Sequence, residues 1–361
     1  NARAEALGAW LPLSEDSASL FQPLAVAGRC VAIRIAFQPM EGTDGTLDGR
    51  PGPLTRRRYE RFAQGGPGLI WFEAVAVAPE ARASAHQLWM TEDNVDDYKE
   101  LVEHIKALCL RENGFEPIVI LQATHSGRYS KPEGQTAPLI AYNNPLFEKD
   151  KPIDPSRILS DDQLASYEAR FAVTARLAEQ AGFDGLDVKC CHRYLANELL
   201  SAYTRPGRYG GSLENRSRFL RNAYAAARSA VGPRMIVTSR MNAYDGFPYP
   251  YGFGVREDEG TQVDLTEAKE VVRMLRGQGL PLLNVTIGNP YVNPHVNRPY
   301  DRGNYVPDEH PLEGESRMMR CVSELQHDQP DLPVIGSAFS YLRQYAPALA
   351  AGMVEGGHAA M

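Results

Sequence analysis

The chain has 361 residues, of which 43% are hydrophobic and 23% charged, a composition typical of globular proteins. Its formal net charge of -7 disfavours nucleic acid or an anionic membrane as a partner, because both need basic surface. No apolar run approaches the ~20 residues that span a bilayer, and the first residues lack the pattern of a signal peptide, so we expect a cytoplasmic protein without a membrane partner.

Short apolar runs recur along the chain, and each is followed by a longer segment. Their near-continuous hydrophobicity and their length predict strands that are buried on both faces, as in a parallel sheet. The runs lie at 30–37, 69–77, 117–123, 183–188, 234–240, 282–287 and 333–337.

The segments between the runs carry helical patterns at 95–110, 160–182, 212–232 and 264–279. In the second of them, four apolar residues recur on one face at helical spacing. Two segments begin at residues typical of helix N-caps, and three end at glycines typical of helix C-termini. The apolar residues are Leu164, Phe171, Ala175 and Ala178, the N-caps are Asp161 and Ser212, and the stops are Gly182, Gly232 and Gly279.

Strands that alternate with helices predict an α/β fold with parallel strands, and the seven units indicate a (β/α)₈ TIM barrel. An eighth strand would begin where the printed chain ends, at HAAM. We therefore expect one barrel domain over residues 1–361, with its eighth strand at or beyond the end of this sequence and its C-terminal part missing. An open doubly wound sheet is the alternative, which the lack of a GxGxxG after the first strand disfavours.

Polar side chains follow the predicted strands at their carboxyl ends, where the active sites of such barrels lie. Gln122, Arg240 and Asn242 are amide and guanidinium donors that suit a planar heterocycle. Arg240 can stabilise a delocalised anion, such as the pyrimidine edge of a reduced flavin. Polar strand ends are common to all barrel enzymes, so these donors alone do not distinguish a flavin from other cofactors.

Five segments carry a resemblance to a known family. They are YGGSLENRSRFL (209–220), QATHSGR (122–128), RIAFQPM (34–40), FEAVAV (72–77) and AGFDGLDV (181–188). In this order they resemble the Old Yellow Enzyme family of FMN-dependent NAD(P)H:flavin oxidoreductases, in particular the branch that contains 2,4-dienoyl-CoA reductase. The resemblance runs from about residue 20 to the last residue, and it implies an eight-stranded barrel with FMN at its mouth.

The resemblance also implies roles for individual residues. It places Pro39, Met40, Glu41 and Ala74 beside the flavin, Gln122 on its pyrimidine, and Arg240 at N1 and the adjacent carbonyl. It implies that the turn at Gly336, Ser337 and Ala338 donates backbone N–H groups to the phosphate, whose other half-site follows strand eight. A 4Fe–4S cluster is implied only if a group of cysteines lies beyond Met361.

The stretch DVKCCHRYL (187–195) matches the family's catalytic segment. The resemblance implies that Lys189 and His192 hold the carbonyl oxygen of an activated alkene and that Tyr194 protonates the carbon beside that carbonyl. Lysine replaces the usual histidine, Arg193 replaces the usual glycine, and Glu41 replaces a usual hydroxyl or thiol. From the residues alone, Lys189 could instead pair with a barrel acid, and His192 and Tyr194 could be structural.

Five cysteines without a CxxC pair argue against a disulfide framework and against a metal site within the chain, and the adjacent Cys190 and Cys191 are expected to be packing residues. The loops 244–254 and 289–300 are rich in aromatic residues. We expect Tyr249, Tyr251, Tyr291 and His295 to contact a bulky substrate, with a self-packed Ω-loop as the alternative.

The resulting prediction is an ene-reductase that passes a hydride from NAD(P)H through flavin N5 to the β-carbon of an enone, enoate or enoyl thioester. Flavin-dependent dehydrogenation of a cyclic ketone or amine, and a non-catalytic flavin-binding barrel, are the alternatives. The expected partner is a small molecule, and a homo-oligomer stays open.

Overall fold

A computed structural model describes residues 2–361. A parallel sheet of seven strands runs through the chain in sequential order, and each strand pairs with the next. The strands are β3 (Ala36–Phe37), β4 (Leu69–Ala76), β5 (Ile118–Thr124), β6 (Gly185–Val188), β7 (Ile236–Tyr244), β8 (Leu283–Ile287) and β9 (Val334–Ile335). They are preceded by an antiparallel hairpin of β1 (Leu24–Val26) and β2 (Arg29–Val31).

The last residues of the chain continue the sheet beyond β9. The N–H of Ala360 donates to the carbonyl of Val334 at 2.8 Å, and the N–H of Gly336 donates to the carbonyl of Met361 at 3.0 Å. On the other side, Nη1 of Arg34 reaches the carbonyl of Ala360 at 3.5 Å. The nearly closed parallel sheet confirms the predicted barrel, with the eighth strand position beginning at the final residues.

Helices follow the strands and cover the outside of the barrel. No helix of the chain from residue 2 onward is long and apolar enough to cross a membrane. The helices are α1 (Ala2–Ala6), α2 (Pro53–Gln64), α3 (Val95–Asn113), α4 (Pro145–Glu148), α5 (Asp161–Gln180), α6 (Leu195–Leu200), α7 (Leu213–Arg216), α8 (Arg218–Ser229), α9 (Thr266–Gly277), α10 (Pro294–Asn297), α11 (Pro311–Asp328) and α12 (Ala346–Glu355). Single 3₁₀ segments lie at Ala18–Phe21, Pro79–Ala81, Gly127–Tyr129, Pro155–Arg157 and Phe339–Tyr345.

Helix α5 shows how the apolar pattern becomes packing. Leu164, Phe171, Ala175 and Ala178 are all buried, as the helical spacing predicts. Burial of a leucine or phenylalanine side chain contributes about 1.5–3 kcal/mol, so this face fixes the helix against the sheet.

Two predicted boundaries differ from the structure. The run 30–37 is divided between β2 and β3, because β2 turns back to pair with β1 and the hairpin packs Val26 and Val31 against the residues that fill the end of the barrel. The N-cap of α5 is Ser160 rather than Asp161, since the Ser160 side chain accepts from the N–H of Gln163 at 3.2 Å and Gln163 returns the contact.

Candidate active site

The turn after β6 carries the predicted catalytic residues. The N–H of Lys189 donates to the carbonyl of Ala123 at 3.0 Å, so the backbone stays in the sheet one residue beyond the strand. The chain then reverses through a left-handed turn, with φ values of 60° at His192 and 61° at Arg193. Tyr194 follows as the N-cap of α6. All three predicted catalytic side chains therefore start from the carboxyl end of the barrel.

Tyr194 is the centre of a buried polar cluster. Its hydroxyl donates to Oε2 of Glu41 at 2.9 Å and lies 3.1 Å from the hydroxyl of Tyr291. Because Tyr194 has a single proton and gives it to Glu41, Tyr291 is the donor in the second contact. The Lys189 ammonium lies 3.6 Å from the centre of the Tyr194 ring and 3.7 Å from Oε2 of Glu41. Glu41, Lys189 and Tyr194 thus form one unit.

Burial sets the protonation of this cluster. It raises the pKa of Tyr194 well above its usual value, and the nearby Glu41 carboxylate acts in the same direction. Burial also lowers the pKa of Lys189, although Glu41 opposes that change. The phenol therefore stays protonated and able to donate across the neutral pH range.

Two residues that the sequence did not single out orient the cluster from the loops. The Tyr129 ring lies 4.2 Å from that of Tyr291 and 5.7 Å from that of Tyr194, measured between centroids. Asn289 donates from its amide to the Tyr129 hydroxyl at 2.8 Å and accepts from the N–H of Tyr291 at 2.7 Å. Tyr291 is nevertheless 54% exposed, so it connects the buried Tyr194 with solvent.

His192 is held as a neutral donor. Nδ2 of Asn297 lies 3.2 Å from Nε2 of His192 and donates to the carbonyl of Ile287 at 2.8 Å. An amide nitrogen only donates, so Nε2 of His192 accepts and the ring proton is on Nδ1. Burial lowers the pKa of His192 well below its usual value, and Arg240 adds to the effect. Nδ1 has no partner among residues 2–361 and is free for a ligand oxygen.

A buried carboxylate fixes the backbone beside Glu41. Glu73 lies at an irregularity of β4, accepts from the N–H of Gly42 at 2.8 Å, and pairs with the Arg58 guanidinium at 2.6 Å. Arg58 also contacts Asp44. Burial raises the pKa of Glu73 to about 7. This anchor presents Glu41 to Tyr194 and explains why the carboxylate turns into the site.

The groups predicted to hold the flavin ring keep free polar atoms. Arg240 is 7% exposed, and Nε contacts Asn284 at 3.3 Å, while its terminal nitrogens have no acceptor in the chain described here. Gln122 donates from its amide nitrogen to Asp187 at 2.6 Å, which leaves its amide oxygen to accept from a ligand. Both residues also donate to Asp187, Gln122 from its side chain and Arg240 from its backbone N–H. The unpaired guanidinium nitrogens and the unpaired amide oxygen fit the carbonyl and imide groups of a flavin pyrimidine.

In the turn at 336–338, which is predicted to bind the phosphate, only some backbone N–H groups are unpaired. The N–H of Gly336 donates to the carbonyl of Met361 at 3.0 Å, so this group is already paired within the sheet. The N–H groups of Ser337 and Ala338 have no acceptor among the described residues, and Ala338 adopts a φ of 78°. Two adjacent free N–H groups in such a turn form an anion-binding concavity.

The three other predicted flavin neighbours differ in exposure. Ala74 is buried and its carbonyl accepts from Gln87 at 3.2 Å. Pro39 is partly buried, and Met40 is 70% exposed. Ala74 therefore belongs to the wall of the site, while Met40 offers a large apolar surface at its rim.

The aromatic loops divide between different partners. Of the four predicted substrate contacts, the structure brings Tyr291 to Tyr194. The Tyr249 ring packs on that of Tyr203, with 4.8 Å between the centroids. The carbonyl of Tyr251 accepts from the Arg193 guanidinium at 3.0 Å. Nδ1 of His295 contacts the hydroxyl of Tyr305 at 2.6 Å. These three residues thus anchor the loops to other parts of the molecule.

A sequence profile of the NADH:flavin oxidoreductase / NADH oxidase family matches residues 19–295. The NADPH dehydrogenase of Halalkalibacterium halodurans is 30% identical over 273 residues, which are 74% of this chain and 73% of the relative. The NADPH dehydrogenase of Geobacillus sp. is 32% identical with the same coverage. The profile match includes the barrel strands from β3 to β8.

Solved structures share the fold at lower identity. The chain aligns with an old yellow enzyme homologue from Zymomonas mobilis at a TM-score of 0.65 and 20% identity, over 95% of this chain and 87% of that one. It aligns with a 2-naphthoyl-CoA reductase at a TM-score of 0.74 and 18% identity, over 95% of this chain, and spans about half (49%) of that longer chain. With the profile and the NADPH dehydrogenases, these findings show that the chain belongs to the NADH:flavin oxidoreductase / NADH oxidase (Old Yellow Enzyme) family of FMN-dependent NAD(P)H oxidoreductases.

Proposed function

We propose that the chain reduces the carbon–carbon double bond of an α,β-unsaturated carbonyl compound. The observation that carries the proposal is the buried Tyr194 hydroxyl, which is held between Glu41 and Tyr291 beside the Lys189 ammonium. The chemistry that bound FMN supplies is hydride transfer, from NAD(P)H and then to the β-carbon of the substrate. Arg240, Gln122 and the N–H groups of Ser337 and Ala338 would hold the cofactor.

Lys189 and His192 would bind the carbonyl oxygen of the substrate. Lys189 is buried beside the Glu41 carboxylate, and Nδ1 of His192 is a fixed neutral donor. Negative charge builds on this oxygen when the β-carbon receives a hydride, and donors that are already oriented stabilise it without reorganisation. An ammonium at this position favours acceptors whose oxygen carries a negative charge, above all enoates.

Tyr194 would supply the proton to the α-carbon. Its hydroxyl rotates from Glu41 to the substrate, and the phenolate that forms takes a proton from Tyr291, which already donates to it. Tyr291 regains its proton from solvent through its exposed surface. A positioned phenol acting as general acid contributes ~10²–10⁴-fold to the rate.

A second candidate is the reverse reaction, dehydrogenation of a saturated or cyclic ketone. The contact between Tyr194 and the Glu41 carboxylate favours it, because a carboxylate can take the phenol proton while the phenol oxygen takes a proton from the α-carbon. The two directions share every group of the site. Their relative rates therefore depend on the cofactor potential and on the substrate.

The test is turnover of the FMN-loaded protein with NADPH and 2-cyclohexenone under anaerobic conditions, with identification of the product. We expect stoichiometric NADPH loss and cyclohexanone formation. Solvent deuterium should appear at the α-carbon, and deuterium from labelled NADPH at the β-carbon. Loss of NADPH without saturated product, at any enone or enoyl thioester tried, would reject the proposal.

A further inference from the structure

The left-handed turn at His192 and Arg193 requires an explanation. Both residues have φ values near 60°, where a Cβ atom crowds the following carbonyl, so only glycine adopts this region freely. The family that the sequence resembles usually has glycine at the second position. Contacts within this chain must therefore stabilise the strained turn, which sets the directions of the His192 and Tyr194 side chains.

Two asparagines cap the backbone of the turn. The N–H of His192 donates to Oδ1 of Asn242 at 3.2 Å, and the N–H of Arg193 donates to Oδ1 of Asn197 at 2.6 Å. Both amide nitrogens then donate to Oδ1 of Asp245, at 2.8 Å from Asn242 and 3.2 Å from Asn197. One carboxylate thus orients both caps.

The side chain of Arg193 returns to the same carboxylate. Its Nη1 donates to Oδ2 of Asp245 at 3.1 Å and to the carbonyl of Tyr251 at 3.0 Å. The guanidinium lies 5.1 Å from the ring of Phe147 and 5.7 Å from that of Phe247. Both members of the ion pair are fully buried. A buried carboxylate that loses its cation is strongly unfavourable, so the pair acts as a single unit.

We propose that Arg193 and Asp245 are positioning residues for the reaction. Their ion pair closes a ring of contacts that holds the left-handed turn, and with it the directions of Nδ1 of His192 and the hydroxyl of Tyr194. The same pair ties this turn to the loop 245–254 after β7. The inference rests on the proposed function only for its kinetic consequence, because the contacts themselves are independent of the substrate.

Substitution of Arg193 separates this role from general stability. Arg193→Gly relieves the backbone strain but leaves Asp245 buried without a cation. Arg193→Lys keeps the charge but replaces the planar guanidinium between the Phe147 and Phe247 rings with a shorter, tetrahedral ammonium. Arg193→Gly/Asp245→Asn removes both charges and covers the case in which the single variant does not fold. Arg205→Lys is the matched control, since Arg205 is 8% exposed, pairs with Asp161 at 2.7 Å, and makes no side-chain hydrogen bond to the turn.

The first readout is kinetic, in the FMN-loaded protein. Reduction by NADPH and reoxidation by 2-cyclohexenone are measured separately by stopped flow under anaerobic conditions. We expect the Arg193 variants to reoxidise ~100-fold more slowly, with reduction by NADPH within about 2-fold of wild type, because a shift of about 1 Å in a catalytic group has this effect. Equal losses in both steps, or no loss in either, would overturn the inference.

The second readout is hydrogen exchange across residues 189–200, which does not depend on any substrate. We expect protection of this segment to fall about 10-fold or more in the Arg193 variants and to stay unchanged in Arg205→Lys. If the wild type reduces enones and the variants keep full protection, the positioning inference fails and the proposed function stands. If protection falls but the wild type reduces no enone, the proposed function fails and the positioning inference stands.

Discussion

Replacement of Tyr194 by phenylalanine removes one oxygen from the centre of the site. The hydroxyl makes two hydrogen bonds, one of them to the Glu41 carboxylate, while the ring continues to face the Lys189 ammonium. A hydrogen bond to a charged group contributes about 1.5–3 kcal/mol, so we expect the free energy of unfolding to fall by about 2 kcal/mol. The fold, and the groups that would bind FMN, should remain intact.

The chemical effect of Tyr194→Phe should be much larger and confined to one step. Reoxidation of the reduced enzyme by an enone should slow ~10²–10⁴-fold, because the α-carbon then takes its proton from water. Reduction by NADPH should stay within about 3-fold of wild type. Both steps are followed anaerobically by the flavin absorbance near its visible maximum.

Tyr129→Phe is the matched control, since Tyr129 lies in the same aromatic cluster and its hydroxyl contacts Asn289 at 2.8 Å rather than the reacting groups. It should lose stability of a similar order but keep its reoxidation rate within about 5-fold. A Tyr194→Phe enzyme that reoxidises as fast as the Tyr129→Phe enzyme would refute Tyr194 as the proton donor.

Three further changes test other parts of the site. Lys189→His should reduce enoate turnover about 10-fold more than enone turnover, as measured by kcat/KM with each substrate; equal losses would show that Lys189 does not meet the substrate oxygen. Arg240→Met should weaken FMN binding more than 10-fold in a fluorescence titration, and an unchanged affinity would remove Arg240 from the cofactor site. His125 follows β5, is buried, and accepts from the N–H of Gly127 through Nδ1 at 3.0 Å. Burial lowers its pKa to about 3, so the unfolded chain binds an extra proton below about 6.5 and stability falls as the pH falls from 6.5 towards 3. Between pH 7 and 5, His125→Asn should therefore lose about 2 kcal/mol less than wild type in urea unfolding, and identical losses would contradict this assignment.

The barrel could be predicted because buried parallel strands leave a strong local signal. Each apolar run from 69–77 onward became a strand with bounds within a few residues of those expected. The position of DVKCCHRYL at the mouth of the barrel could be predicted as well, since residues just past a strand end face the mouth. Such signals depend only on neighbours along the chain.

The contacts that define the site join distant segments, and no local pattern reveals them. Tyr194 meets Glu41 across 153 positions, and His192 meets Asn297 across 105. Glu41 enters the site because Glu73 binds the backbone N–H of Gly42, the residue that follows Glu41. Packing also decides that Tyr291 reaches Tyr194 while Tyr249 packs against a different ring.

Which backbone N–H groups stay unpaired and can bind a ligand could not be predicted from the sequence either. The turn at 336–338 has the residues of an anion-binding loop, but the N–H of Gly336 is already used by the sheet. The partner of that group is the carbonyl of the final residue, which lies at the position where the eighth strand begins. Only the assembled barrel shows which N–H groups remain.

The most direct test of the proposed function is one cycle of reduction and reoxidation of the flavin in the FMN-loaded protein. FMN-loaded enzyme is bleached anaerobically with one equivalent of NADPH, and one equivalent of 2-cyclohexenone is then added. We expect full return of the oxidised spectrum together with one equivalent of cyclohexanone. A protein that takes up FMN and is bleached by NADPH, but stays bleached with every α,β-unsaturated carbonyl compound, would contradict the proposed function.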